Sequence, residues 1–165
     1  MTTHAMVPPE ARAMVGQQVG RTRGVVRRAE FQRWAAAVGD LNPVYFDADQ
    51  ARAHGYRDVV MPPLFLRCMG RAVAALTDLR PDGTVRDHEV AEVPLNCTQR
   101  MAGGETTEFH RPLYPGDTVT VVTTLTGITE KAGRSGPFVL VTWKVDYLDQ
   151  HGALVAETVR SMIAK

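Results

Sequence analysis

Val59-Val60-Met61-Pro62-Pro63-Leu64-Phe65-Leu66-Arg67-Cys68-Met69-Gly70-Arg71-Ala72-Val73-Ala74-Ala75-Leu76-Thr77-Asp78-Leu79 is the stretch on which the reading of the fold turns. Between Leu64 and Leu76 only Arg67 and Arg71 interrupt the apolar and small residues. Proline is tolerated in the first turn of a helix, because its missing N–H would have no intrahelical partner there. The spacing therefore predicts a long helix opening at Pro62-Pro63. A helix apolar nearly all round has to be covered by the rest of the chain. The C-terminal third can cover it. Val119, Val121 and Leu125 alternate with threonines, and Val139, Val141, Trp143, Val145 and Tyr147 alternate with Leu140, Thr142, Lys144 and Asp146, the period-two pattern of half-buried antiparallel strands. Pro112 to Asp117, Gly133 to Pro137 and Gln150-His151-Gly152 punctuate them as turns. Four or five strands wrapped around one long central helix make an α+β fold.

Upstream, Phe31, Trp34, Ala35 and Val38 recur at i, i+3, i+4 and i+7, with Gly39 placed to end a short amphipathic helix. Asp40 to Asp58 is rich in turn formers, with one helical turn expected near Asp49 to His54. Residues 1–13 carry Pro8-Pro9 without an apolar period and are expected to be a flexible arm ahead of one domain over 14–165. The size fits a single core. A chain of 165 residues buries roughly 70% of its unfolded surface and needs no metal or disulfide to fold. Nineteen Lys and Arg against eighteen Asp and Glu give a formal charge of +1, which argues against nucleic acid and anionic membrane as partners. No apolar run approaches the roughly 20 residues of a membrane span and no secretory leader is visible, so a cytoplasmic protein is expected. Cys68 and Cys97 form neither a disulfide framework nor a metal cluster and are read as small buried hydrophobes. No pair of histidines has metal-ligand spacing, so neither metal nor cofactor is expected. Arg21, Arg23, Arg27 and Arg28 are the only basic cluster, read as a solvated face or, less simply, a docking patch for a carrier protein or CoA phosphates.

The densest polar stretch is Gly39-Asp40-Leu41-Asn42-Pro43-Val44-Tyr45-Phe46-Asp47. Together with His110-Arg111-Pro112-Leu113-Tyr114-Pro115-Gly116-Asp117 it resembles the signature of the MaoC-like, (R)-specific enoyl-thioester hydratase and dehydratase family. The resemblance implies a single hot-dog domain acting on CoA or acyl-carrier-protein thioesters. In that family a Gly-Asp-x-Asn-Pro-x-His-x-Asp segment supplies a catalytic Asp and His, and a Gly at the start of the helix donates its N–H to the thioester oxygen. Asp40 stands at the Asp position, Asn42, Pro43 and Asp47 match, but Tyr45 replaces the His and Pro63 the Gly.

Both replacements remove chemistry. A phenol with a reference pKa near 10 is a poorer proton shuttle at neutral pH than an imidazole near 6.5, and proline has no N–H to donate. One lost oxyanion donor costs on the order of 3 kcal/mol, and a lost acid or base a further 10² to 10⁴ in rate. The resemblance therefore implies the substrate-binding half of a heterodimer, with Asn42, Met61, Pro63, Leu64, Phe65, Met69 and His110 as candidate substrate contacts and Met101 as a further lining residue. Its partner would be a second hot-dog subunit with Asp and His intact. Each apolar candidate also reads as ordinary core, and Asp40 as a turn cap. An autonomous homodimer using Asp40 with Tyr45 or His110, an acyl-binding module without turnover and a hot-dog thioesterase stay open.

Overall fold

The computed structural model describes all residues except 1–4, 72, 73, 82, 84 and 86–89. Five antiparallel strands form one sheet in the order β1-β3-β4-β5-β2, from β1 (Gln18–Val25), β2 (Arg100–Phe109), β3 (Thr118–Gly133), β4 (Gly136–Leu148) and β5 (Leu154–Ala164). The architecture is the α+β hot-dog sheet. The three turn clusters fall where expected: Pro112 to Asp117 precedes β3, a tight hairpin joins Gly133 to Gly136, and Asp149 closes the last hairpin by accepting from the N–H groups of His151 (2.8 Å) and Ala153 (2.9 Å). These two N–H groups, the Ala153 one above all, hold the Asp149 carboxyl below its usual range.

Period-two alternation sends Val139, Val141, Val145 and Tyr147 of β4 to the buried face, where two clusters form. The larger gathers Phe31 and Ala35 from α2 (Arg28–Val38), Phe65, Val119 and Tyr147. Phe31 is fully buried and meets Phe65 edge to face at 6.4 Å, while Trp34 does so at 5.8 Å. Helix α2 ends where its sequence says, with Gly39 at φ +77°.

Four expectations are corrected. The stretch opening at Pro62-Pro63 is not one long helix. It runs as a 3₁₀ helix over Pro63–Cys68, leaves helical geometry at Met69 (ψ 136°) and Gly70 (φ +69°), and forms another short 3₁₀ turn at Leu76–Asp78; residues 72 and 73 lie outside the described set. The reason is a close crossing. A Cβ on Gly24 would stand 2.8 Å from the Gly70 nitrogen, and one on Gly70 2.3 Å from Thr22 Oγ1, so the chain turns at Gly70 to lie against β1. The longest helix is α2. Second, the expected arm is packed from Val7 onward: α1 (Pro9–Ala13) buries Ala11, and the apolar side chains of Val7 and Ala11 join Leu125, Val139 and Val141 in the second cluster. Third, Cys68 is exposed, since the end of the 3₁₀ helix turns it outward, whereas Cys97 is half-buried and burial raises its thiol pKa. Fourth, β1 is a strand where only a basic cluster was expected. Its Arg21 and Arg23 face outward at a sheet edge while Gly20, Thr22 and Gly24 alternate with them, a pattern that reads as a basic loop unless the missing side chains are taken as room for a neighbour.

Candidate functional site

The loop after α2 is shaped almost entirely by its own caps. The N–H groups of Gly39 and Asp40 return to the carbonyls of Ala36 (3.2 Å) and Ala35 (2.9 Å), which fixes Asp40 as the first residue off the helix, exposed to solvent. Asn42 Oδ1 accepts from the Val44 N–H at 3.2 Å and starts a 3₁₀ turn at Pro43–Tyr45. Asp47 Oδ1 accepts from Asp49 (2.8 Å) and Gln50 (3.1 Å) and caps α3 (Ala48–Ala53), the helical turn expected there. These side chains are occupied in holding backbone.

Tyr45 is 9% exposed, and its carbonyl accepts from Gln32 Nε2 at 2.9 Å. Burial raises the phenol pKa, with further pushes from the Asp40 carboxylate and from Tyr56. All three causes disfavour the phenolate. At neutral pH this side chain keeps its proton and has no basic form to offer.

Backbone bonds from Val60 N to Val44 O (3.0 Å) and from Met61 N to Leu113 O (2.9 Å) tie the loop to the wall of a cavity of about 240 Å³. Met61, Leu66, Leu113, Val155 and Ala156 give it an apolar lining, Pro63 forms part of the wall, and Tyr56, His110 and Arg111 bring polar groups. Met61, Pro63 and His110 thus meet in one place. His110 Nδ1 stands 3.7 Å from Glu108, while Arg111 donates to the Leu154 carbonyl at 3.0 Å and lies 3.5 Å from Asp149. Phe65 and Met69 are buried on the other side of the 3₁₀ helix, Leu64 is 63% exposed, Asn42 is a cap, and Met101 is exposed on the edge strand β2. Neither Asp40 nor Tyr45 lines the cavity. Tyr56 and the Val155-Ala156 pair line it without any motif to mark them; the only sign of the pair is its place just after the last hairpin.

Two ion pairs hold the Arg57-Asp58 stretch that follows Tyr56. Arg28 grips Asp58 through both carboxylate oxygens (3.0 and 2.8 Å), and the Val59 N–H first, then Arg28, lowers the Asp58 pKa. Arg57 reaches Asp117 at 3.0 Å and stacks over Tyr114 at 4.2 Å. What the arrangement can do is enclose an apolar group beside a few hydrogen-bonding side chains. Elimination of water also needs a base, an acid and a donor for the developing enolate oxygen; burial biases Tyr45 against the phenolate that a base would need, and Pro63 has no N–H.

Residues 13–158 match the FAS1-like dehydratase domain region. The chain belongs to this dehydratase family. Among relatives of this FAS1-like dehydratase domain, a UPF0336 protein of Streptomyces griseus is 31% identical over 140 residues, 85% of this chain and 84% of that protein. A probable enoyl-CoA hydratase alpha subunit of Thermomonospora curvata is 34% identical over 148 residues, 84% of this chain but 46% of that longer protein. Among solved structures, the ChsH1-ChsH2 complex from Mycobacterium tuberculosis aligns at TM-score 0.71 with 22% identity, covering 93% of each chain. The C-terminally truncated HadBC (3R-hydroxyacyl-ACP dehydratase) complex from the same organism aligns at 0.67 with 20% identity, covering 91% of this chain and 96% of that one. At those identities the likeness is one of fold.

Proposed function

We propose that this FAS1-like dehydratase domain is the substrate-binding half of a heterodimeric (R)-3-hydroxyacyl-thioester dehydratase or enoyl-thioester hydratase, working in the cytoplasm in fatty acid or polyketide metabolism. The observation that supports the reading is Tyr45: in the sequence it stands where the resemblance puts the family's shuttle His, and it is buried and biased toward its protonated form. The cavity of about 240 Å³ is smaller than the roughly 300–1,000 Å³ of complete small-molecule sites, as befits a portion completed by a second chain. Its walls, Met61 and Pro63 among them, would hold the acyl chain, with His110 and Arg111 near the mouth. β2 offers an unpaired sheet edge with Met101 and Phe109 exposed, a surface on which a second hot-dog subunit carrying intact Asp and His can add its own sheet.

The test is hydration of an enoyl-CoA by the purified chain, alone and mixed with a hot-dog subunit that has both catalytic residues. The chain alone is expected to be nearly inactive. Turnover by the chain alone that disappears in Asp40→Asn and survives in Tyr45→Phe would sink the proposal. A second reading rests on His110 lining the cavity beside Tyr56: an autonomous enzyme with His110 as the shuttle. It requires turnover by the chain alone that His110→Gln abolishes.

A further inference from the structure

One polar row crosses the inner face of the sheet. Leu125 on β3, Trp143 on β4, Arg160 on β5 and Glu105 on β2 stand opposite one another in register, and along β4 the row separates Val145 and Tyr147 of the larger core cluster from Val139 and Val141 of the smaller. Arg160 holds its guanidinium over the Trp143 ring, 5.6 Å from the centroid. Both residues line a second concavity of about 410 Å³, between β2 and the chain leading into it, with Val90, Val93 and Met162 as apolar wall. Its single acid among the described residues, Glu92, is held by Arg100 at 2.7 Å and by Arg80 at 3.5 Å. Trp143 Nε1 is buried and has no hydrogen-bond partner among the described residues. A buried donor left unpaired is uncommon in a folded chain, and this one belongs to a ring on the wall of a concavity. No described residue lines both this concavity and the cavity beside His110. On β5, Ala156 lines the cavity and Arg160 the concavity, roughly 13 Å apart at the usual rise of a strand. Between them the buried Thr158 hydroxyl bonds Thr107 at 2.8 Å.

We infer that this concavity is a second ligand site, for a free monocarboxylate with an apolar body. One carboxylate oxygen is the acceptor that the Trp143 N–H lacks, and the other meets the Arg160 guanidinium stacked on the same ring. Arg160 has partners of its own and need not give them up: a guanidinium carries five donors in a fixed fork, and its bonds to a carboxylate are of the stronger, charge-assisted kind. Glu92, already shared by Arg80 and Arg100, does little to repel an incoming anion. The valines and Met162 take the apolar body. A concavity of this size falls within the roughly 300–1,000 Å³ of small-molecule sites, which pair apolar walls with a few placed polar groups. An alcohol of the same length would satisfy the indole but gain nothing from the guanidinium. The site stands whether or not the chain is half of a dehydratase, because it shares no described lining residue with the cavity beside His110.

The test is heteronuclear NMR of the nitrogen-15-labelled full chain, titrated with decanoate below its micelle concentration. The chain has two tryptophans and so two indole N–H signals, which Trp34→Phe assigns. The Trp143 signal is expected to move downfield to saturation as its N–H gains an acceptor, together with the amides of Val90, Ala102 and Met162, while the Trp34 signal and the amides of Leu66 and Val155 hold still. Trp143→Phe keeps a ring under Arg160 without the donor and should bind decanoate about tenfold more weakly, the scale of one hydrogen bond to a charged group, as should Arg160→Gln. Decanol should bind the wild type weaker than decanoate by about tenfold or more. A Trp143 signal that does not move, shifts centred on Leu66 and Val155, decanol binding as tightly as decanoate, or Trp143→Phe binding as tightly as the wild type overturns the site. Should either variant fail to fold, the wild-type titrations with decanoate and decanol decide by themselves.

Discussion

Gly70→Ala separates the two conformations open to the apolar stretch, because they require opposite signs. In a continuous helix from Pro62 to Leu79, alanine at position 70 would stabilise the protein by about 1 kcal/mol. In the structure Gly70 sits at φ +69°, a left-handed conformation that costs an L-residue roughly 1–2 kcal/mol, and its new Cβ would stand 2.3 Å from Thr22 Oγ1 and 3.0 Å from Thr22 Cβ. Relief of that overlap means displacing an edge strand from a packed core, a further 1–3 kcal/mol or so. The expected loss is about 2–5 kcal/mol. At roughly 2–4 °C per kcal/mol for a chain of this size, thermal unfolding should shift down by roughly 4–20 °C. Gly16→Ala is the control, since Gly16 has φ +87° but nothing within 4 Å of its Cβ position, so only the conformational part of about 1 kcal/mol applies. The assay is urea and thermal unfolding of wild type and both variants with unchanged m-value. Thr22→Ala in the Gly70→Ala background should recover part of the loss, which a double-mutant cycle reads as coupling. A stabilised Gly70→Ala, or one no worse than Gly16→Ala, would refute the crossing of this segment over β1.

Phe31→Ala empties a fully buried site shared with Phe65 and should cost about 3–5 kcal/mol in chemical unfolding. Asp47→Ala removes both bonds that start α3 and should cost about 1 kcal/mol, with little effect in Asp47→Asn, because the amide oxygen can still accept from Asp49 and Gln50. The Asp58 carboxyl is held below its unfolded value of about 3.9, so its contribution is fully present above that pH and lost as pH falls through the lower folded value; the acid limb of a plot of Tm against pH should flatten in Asp58→Asn. Tyr45 has the opposite sign: its folded pKa lies above the usual 10, so the stability it contributes is present below pH 10 and fades at higher pH, and ultraviolet difference titration should show one tyrosine ionising late, lost in Tyr45→Phe.

Where periodicity met a single buried face, sequence and structure agree. Phe31, Trp34 and Ala35 at helical spacing with Gly39 behind them became α2, and the alternating valines of β3 and β4 became the sheet centre. The apolar run from Leu64 misled for a physical reason: composition does not tell a helix buried all round from an irregular segment that, among its described residues, buries only Phe65, Leu66 and Met69 while Leu64 and Leu76 stay exposed, and one glycine decides which. Gly70 looks like a tolerated interruption of a helix. Its necessity comes from Gly24 and Thr22, more than forty residues away in sequence, and no local pattern carries that contact. The same holds for the cavity, where Tyr56, His110 and Val155 come from separate elements.

The polar motif was legible for a different reason, and that reason bears on what it means. Asn42 and Asp47 are engaged with backbone N–H groups of the turn and of α3, so their presence follows from the shape of the loop whether or not the loop does chemistry. Matching them identifies a scaffold. The residues free of any such task are Asp40, which stays in solvent off the end of α2, and the hydroxyl of Tyr45, whose pKa burial raises further. A histidine placed at position 45 in the same surroundings would also be pushed toward its neutral form by burial, while the Asp40 carboxylate would pull the other way. Tyr45→His by itself would therefore supply a base but still no donor at Pro63. If the missing oxyanion donor limits the chain, Tyr45→His should leave it nearly inactive in the enoyl-CoA assay, and Tyr45→His with Pro63→Gly should exceed it by on the order of 10² or more, the worth of one such donor. Equal activity in the single and double variants would mean that Pro63 does not occupy the donor position, and Tyr45 alone would then support a catalytically incomplete half.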